Sequence, residues 1–227
     1  MSALVCLQGG NEFSPACREM DAGLVEGLDG PVVVTALAGE IGNDYRRATD
    51  NGVRHFRGLT DLDVIAAPDV RSDPEQAMAA LREARLIVLP GGSPGRLLAA
   101  LTSTPVGPAL TELLAAGGRV MGSSAGAMVL GPWTVLPGLH PALAPALGVT
   151  PFVVVPHWKG DRRPWLRAID KGAPPSVPVL GIPEESGVVL QAGVMTAVGQ
   201  GPTWLVRQER ELPVGEAATF SERGDVG

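Results

Sequence analysis

Arg119-Val120-Met121-Gly122-Ser123-Ser124-Ala125-Gly126-Ala127-Met128-Val129-Leu130 decides the fold. Arg119 to Met121 reads as a short buried strand, and Ala125 to Leu130 suits a helix. Between them Gly122-Ser123-Ser124-Ala125-Gly126 fits Gly-x-Ser-x-Gly, the sharp strand-to-helix turn that pushes a serine hydroxyl into solvent while small neighbours relieve the backbone. The motif is short, and a chain with 30 glycines in 227 residues can produce it by chance. Its setting between strand and helix is what makes Ser124 a candidate nucleophile rather than part of a plain glycine-rich turn.

Outward from this turn, similar apolar runs recur: Leu4 to Leu7, Val32 to Leu37, Leu86 to Leu89, Phe152 to Val155 and Val177 to Ile182. Intervening segments such as Pro74 to Ala84 and Ala109 to Ala115 carry apolar residues at three- and four-residue intervals, and Ser93-Pro94 supplies an N-cap followed by a first-turn proline. Strands alternating with helices predict a single α/β domain, a mostly parallel sheet flanked by helices on both faces. After Glu185 the pattern changes to a hairpin, Val188 to Leu190 and Val194 to Val198 around Gln191-Ala192-Gly193, which Trp204 to Val206 is expected to extend. The domain is expected over residues 1–210, with a frayed tail over 211–227.

Ligands of such sheets bind beyond the carboxyl ends of the strands. Those ends here are Gln8-Gly9-Gly10-Asn11-Glu12, Pro90-Gly91-Gly92-Ser93, the Ser124 turn, Pro156-His157-Trp158 and Gly181-Ile182-Pro183-Glu184-Glu185. A serine nucleophile needs a base. Of the three histidines, His55 lies in the polar segment Asn51 to Arg57 and His140 in a proline-rich stretch, whereas His157 directly follows an apolar run. His157 is therefore the candidate base. No Asp or Glu occurs between Ala125 and Pro156 and no histidine follows His157, so the Ser-Asp-His order of the α/β-hydrolases cannot be assembled. The acid comes from after His157 or from before the serine. Glu184 and Glu185 both follow a run that is apolar on both faces, so alternation cannot say which turns inward.

Taken together these motifs resemble the peptidase E and cyanophycinase family of serine peptidases, which has a class I glutamine amidotransferase-like fold. Pro90-Gly91-Gly92 is similar to the family's glycine pair, Gly122 to Ala127 to its G-x-S-A-G-A elbow and Pro156-His157 to its histidine motif. The resemblance runs in order over roughly residues 3 to 207. It implies a Ser-His-acid hydrolase, with the backbone amides of Gly92 and Ala125 as oxyanion donors. Gly181-Ile182-Pro183-Glu184 is similar to the cyanophycinase acid motif, which favours Glu184 over Glu185. Peptidase E proper places its acid between serine and histidine, where this chain has none. Arg163 sits at the spacing of the family's substrate-binding arginine, where a guanidinium suits a carboxylate. A charge run such as Lys159, Arg162, Arg163 and Arg167 otherwise simply faces solvent.

The formal charge of -6 supplies no basic face for nucleic acid. Two cysteines are too few for a disulfide scaffold, and three scattered histidines make no metal site. The first residues, MSALVCLQGGNEF, lack a basic n-region and are broken by Gln8 and two glycines, so a cytoplasmic chain without membrane anchor is expected. No cofactor is implied. The expected reaction is hydrolysis of a peptide or isopeptide bond in a small, Asp-containing peptide. Other amide or ester hydrolysis, or a non-catalytic binding role on the same fold, stands as the alternative. Oligomeric state stays open, a homodimer included.

Overall fold

The computed structural model describes residues 2–161, 163–221 and 226. In chain order the strands are β1 (Leu4–Gln8), β2 (Val32–Val34), β3 (Val64–Ala66), β4 (Leu86–Leu89), β5 (Arg119–Ser123), β6 (Trp133–Leu136), β7 (Ala142–Pro145), β8 (Val153–Pro156), β9 (Val179–Ile182), β10 (Ser186–Gln191), β11 (Val194–Gly199), β12 (Thr203–Leu205), β13 (Arg210–Leu212) and β14 (Ala217–Thr219). The α-helices are α1 (Arg18–Val25), α2 (Asn43–Arg57), α3 (Pro74–Glu83), α4 (Pro94–Ser103), α5 (Val106–Ala115), α6 (Ala125–Leu130) and α7 (Arg163–Gly172). An eight-stranded sheet of order β14-β11-β10-β1-β5-β4-β2-β3 forms the centre. From β1 to β3 all neighbours are parallel, and β10 adds antiparallel to the free edge of β1 with Leu4 opposite Gln191.

Every residue of β1 and β4 is buried because both faces of the sheet are covered. Side chains alternate between the two cores. Leu4, Cys6, Leu86, Val88 and Met121 pack with Leu24 of α1 and Val53 and Phe56 of α2, while Val5, Leu7, Ile87, Leu89 and Val120 pack under α3 to α6. Cys6 and Cys17 are free and buried, and burial pushes both thiols above the ordinary range. Helix starts follow local chemistry. The Asp73 side chain accepts from the Gln76 amide ahead of α3, and that of Ser93 accepts from the Arg96 amide ahead of α4, each with proline in the first turn. Such caps contribute about 1 kcal/mol each.

Four expectations change. The run from Val32 forms a strand only to Val34, because the chain leaves the sheet at Thr35. β8 and β9, expected in the central sheet, instead form a separate four-stranded sheet of order β13-β12-β9-β8, since β10 already occupies the edge of β1. Trp204 pairs with Gly181 of β9 rather than extending the hairpin. Within the tail expected over 211–227, Ala217–Thr219 pairs with β11, and Phe220 packs edge-on against Phe152 at 5.3 Å, so apolar contact orders this stretch. The hairpin itself is as expected. β10 and β11 pair antiparallel around Ala192 and Gly193, whose φ of 51° and 75° suit the two-residue turn that matches strand twist.

Candidate active site

The carboxyl end of β1 organises the site. Its loop offers three consecutive carbonyls to three other segments: Gln8 accepts from the Ser124 amide at 3.0 Å, Gly9 from His157 at 2.8 Å and Gly10 from Glu185 at 2.9 Å. One short stretch of backbone thus fixes the ends of β5, β8 and β9 relative to one another. The sequence motifs converge for this reason.

Ser124 sits between β5 and α6 at φ 49° and ψ −109°, a conformation that costs a non-glycine residue of order 1–3 kcal/mol and persists only where surroundings over-determine it. The flanking glycines allow the turn. A Cβ on Gly122 would lie 2.5 Å from the Gly126 carbonyl carbon, and one on Gly126 only 2.1 Å from the Leu89 oxygen. The Ser124 hydroxyl is 2.9 Å from Nε2 of His157, and Nδ1 of that ring is 3.0 Å from Oε1 of Glu184. A carboxylate only accepts, so Nδ1 carries the proton toward Glu184 and Nε2 accepts from the serine. The imidazole lies directly against Gly10, where a Cβ would meet Cε1 at 2.2 Å.

Glu185 points elsewhere. Its Oε1 accepts from Asn11 Nδ2 and from the Ser14 hydroxyl, both at 2.8 Å, which leaves Glu184 as the acid facing His157. The structure therefore brings together Ser124, His157 and Glu184. The Ala125 amide opens α6 and the Gly92 amide follows the turn after β4. Neither donates to another protein group among the described residues. Arg163 begins α7, but its side chain lies outside the described residues.

Two features escaped sequence reasoning. Glu12 lies at the site: its Oε1 accepts from the Gly91 amide at 2.7 Å and its Oε2 from the Ser123 hydroxyl at 2.9 Å. Its only sequence signal is its place after a strand end. His55, read as part of a polar segment, is buried on the inner face of α2 and pairs with Asp21 at 2.7 Å. The signal was present in Tyr45, Thr49, Gly52, Val53 and Phe56, which mark a helical stripe. His140 is exposed on the loop between β6 and β7. Among the described residues no group of His, Cys, Asp or Glu side chains is placed to hold a metal, and no single helix is long and apolar enough to cross a membrane.

The model of peptidase family S51 matches residues 44–198, a span that includes Ser124, His157 and Glu184. The chain belongs to peptidase family S51. As a member of family S51 it is a serine peptidase. Peptidase E of Streptomyces coelicolor is 32% identical over 179 residues, covering 71% of this chain and 72% of that protein. Peptidase E of Shewanella oneidensis is 29% identical over 174 residues, covering 70% and 72%. In fold, the chain is similar to a peptidase from an acI-B1 actinobacterium, with a TM-score of 0.81 at 22% identity over 97% of this chain and 98% of the other. A putative peptidase E protein of Listeria monocytogenes gives 0.64 at 17% identity over 88% and 100%. These likenesses in fold cover nearly the whole chain.

Proposed function

We propose that this family S51 member cleaves a peptide or isopeptide bond in small, Asp-containing peptides through an acyl-enzyme on Ser124. The observation that carries the reading is the unbroken relay of hydroxyl, imidazole and carboxylate at 2.9 and 3.0 Å. As Ser124 Oγ attacks the scissile carbonyl carbon, its proton passes to Nε2 of His157, and Glu184 stabilises the imidazolium through Nδ1–H. The carbonyl oxygen becomes an oxyanion facing the amides of Gly92 and Ala125. Collapse breaks the C–N bond, and His157 returns the proton to the leaving amine. Water then attacks the acyl carbon, giving its proton to His157. The acid product leaves and Ser124 recovers its hydrogen.

Preference for an acidic residue rests on Arg163, which sits where the resemblance implies a substrate-binding arginine, and a guanidinium there can grip a substrate carboxylate through paired hydrogen bonds. The test is a dipeptide library in which wild-type protein and Ser124→Ala are compared for amine release. Turnover confined to Asp-containing members, and lost in Ser124→Ala, is the expected result. Equal turnover of neutral and acidic members removes the acidic preference, and turnover unchanged in Ser124→Ala removes the mechanism.

A further inference from the structure

Glu12 is a carboxylate with both oxygens committed: one to the Gly91 amide, the other to the Ser123 hydroxyl. Those partners stand one residue before Gly92 and one before Ser124, Gly91 on the turn after β4 and Ser123 as the last residue of β5. Ser123 is fully buried. A Cβ added to Gly91 would meet Glu12 Oε1 at 2.9 Å and Ser124 Cβ at 3.1 Å, so the glycine turn lies against both the carboxylate and Ser124.

The backbone around Glu12 is unusual. Both neighbours, Asn11 at φ 55° and Phe13 at φ 65°, are non-glycine residues in the left-handed region. Each is anchored. The Asn11 amide group donates to Glu185, and the Phe13 ring packs against His55 and Phe56 at centroid distances of 5.4 and 6.3 Å. Gly52 in the middle of α2 makes room for that ring, since a Cβ there would lie 2.9 Å from Phe13 Cζ. Strain held in place on both sides of one residue serves to aim its side chain.

We infer that Glu12 is a positioning residue: it cross-links the two turns that carry the oxyanion donors, Gly92 and Ala125, and sets the distance between them. This rests on the serine-hydrolase reading above. Glu12 commits its oxygens to Gly91 and Ser123 rather than to Ser124, and a carboxylate beside a developing oxyanion repels it, so its contribution is geometric. Donors stabilise an oxyanion only when held in advance at hydrogen-bond distance from where it forms. Without the cross-link, the Gly91-Gly92 turn and the elbow are tied through the β4–β5 pairing that ends at Leu89 and Gly122, and the advance organisation beyond that point is loosened.

The distinguishing variant is Glu12→Gln, which keeps both links. Its amide oxygen accepts from Gly91 and its amide nitrogen donates to Ser123 Oγ, while the charge is removed. Labelling by a fluorophosphonate probe reads the oxyanion site, because the phosphonyl oxygen occupies it. Glu12→Ala is expected to label about 10²-fold more slowly than wild type, with the same fall in kcat and little change in KM for p-nitrophenyl acetate. Glu12→Gln should stay within about threefold of wild type by both measures, since both hydrogen bonds survive. Ser123→Ala, which cuts one link and leaves the turn glycines alone, should slow labelling about tenfold, and it serves if Glu12→Ala does not fold. Glu12→Ala labelling at the wild-type rate, Glu12→Gln as slow as Glu12→Ala, or an unchanged rate in Ser123→Ala overturns the inference alone. Wild-type protein that fails to label at Ser124 overturns the parent reading and this one with it.

Discussion

Among the described residues two histidine–carboxylate pairs stand out, and their contrast separates chemistry from architecture. His157 and Glu184 meet at 3.0 Å with side chains 33% and 47% exposed, whereas His55 and Asp21 meet at 2.7 Å with 5% and 0%. The outer pair has a serine hydroxyl on its other ring nitrogen. The inner pair is walled by Phe13 and Phe56, and the other oxygen of Asp21 accepts from Gln8. A histidine held by a carboxylate is therefore not a catalytic signature. What differs is a serine hydroxyl within reach and a part-exposed position at the strand ends.

This contrast predicts where mutations register. Ser124→Ala should lower kcat on the order of 10⁶-fold while leaving the fold intact, because the hydroxyl contributes chemistry rather than packing. A variant retaining a tenth of wild-type turnover would remove Ser124 from the role of nucleophile. Glu184→Gln should lower kcat about 10⁴-fold with little change in KM, by analogy with the loss of the acid in other triads. The reverse ranking of Glu184→Gln and Glu185→Gln would move the acid to Glu185.

In the inner pair the same kind of change should register as stability. Asp21→Ala leaves a buried histidine and Gln8 without their shared partner, and about 3–5 kcal/mol of unfolding free energy should be lost in a urea titration. His157→Ala, at a part-exposed position, should shift the urea midpoint little while abolishing turnover. If Asp21→Ala left stability unchanged, the architectural reading of the inner pair would fail. Arg163→Ala should raise KM for acidic dipeptides about tenfold or more relative to neutral ones, the worth of a hydrogen bond to a charged group. Equal effects on both would return Arg163 to the solvated surface. The smallest effect is expected for Glu185→Gln, within about tenfold in kcat, since that side chain binds Asn11 and Ser14 rather than His157.

Local signals were readable in the sequence and pairing partners were not. β4 and α6 lie where apolar runs place them, because buried strands read as unbroken apolar stretches and Gly122 of the elbow is dictated by its contact with Gly126, four residues on. His157 was identified by elimination among three histidines. The assignment of β8 and β9 to a second sheet depends on which strand takes the edge of β1, a competition that no run of apolar residues records. Glu184 and Glu185 were equivalent by pattern. The bond of the Glu185 amide to Gly10, at φ 57°, and the hold of Asn11 and Ser14 on the Glu185 carboxylate leave Glu184 to turn to the imidazole. Glu12 was hidden for a related reason, since a side chain that bridges two turns gains meaning only when three strand ends meet. His55 was misread because charged residues of its helix face outward around a buried stripe.

The central claim is that Ser124, activated by His157, is the nucleophile, and fluorophosphonate labelling followed by peptide mass mapping tests it most directly. A single phosphonyl adduct on Ser124, absent in Ser124→Ala and strongly slowed in His157→Ala but formed normally in a folded His55→Ala, is the result expected of the outer pair alone. An adduct on Ser123 or another residue, or none on folded wild-type protein, would contradict it.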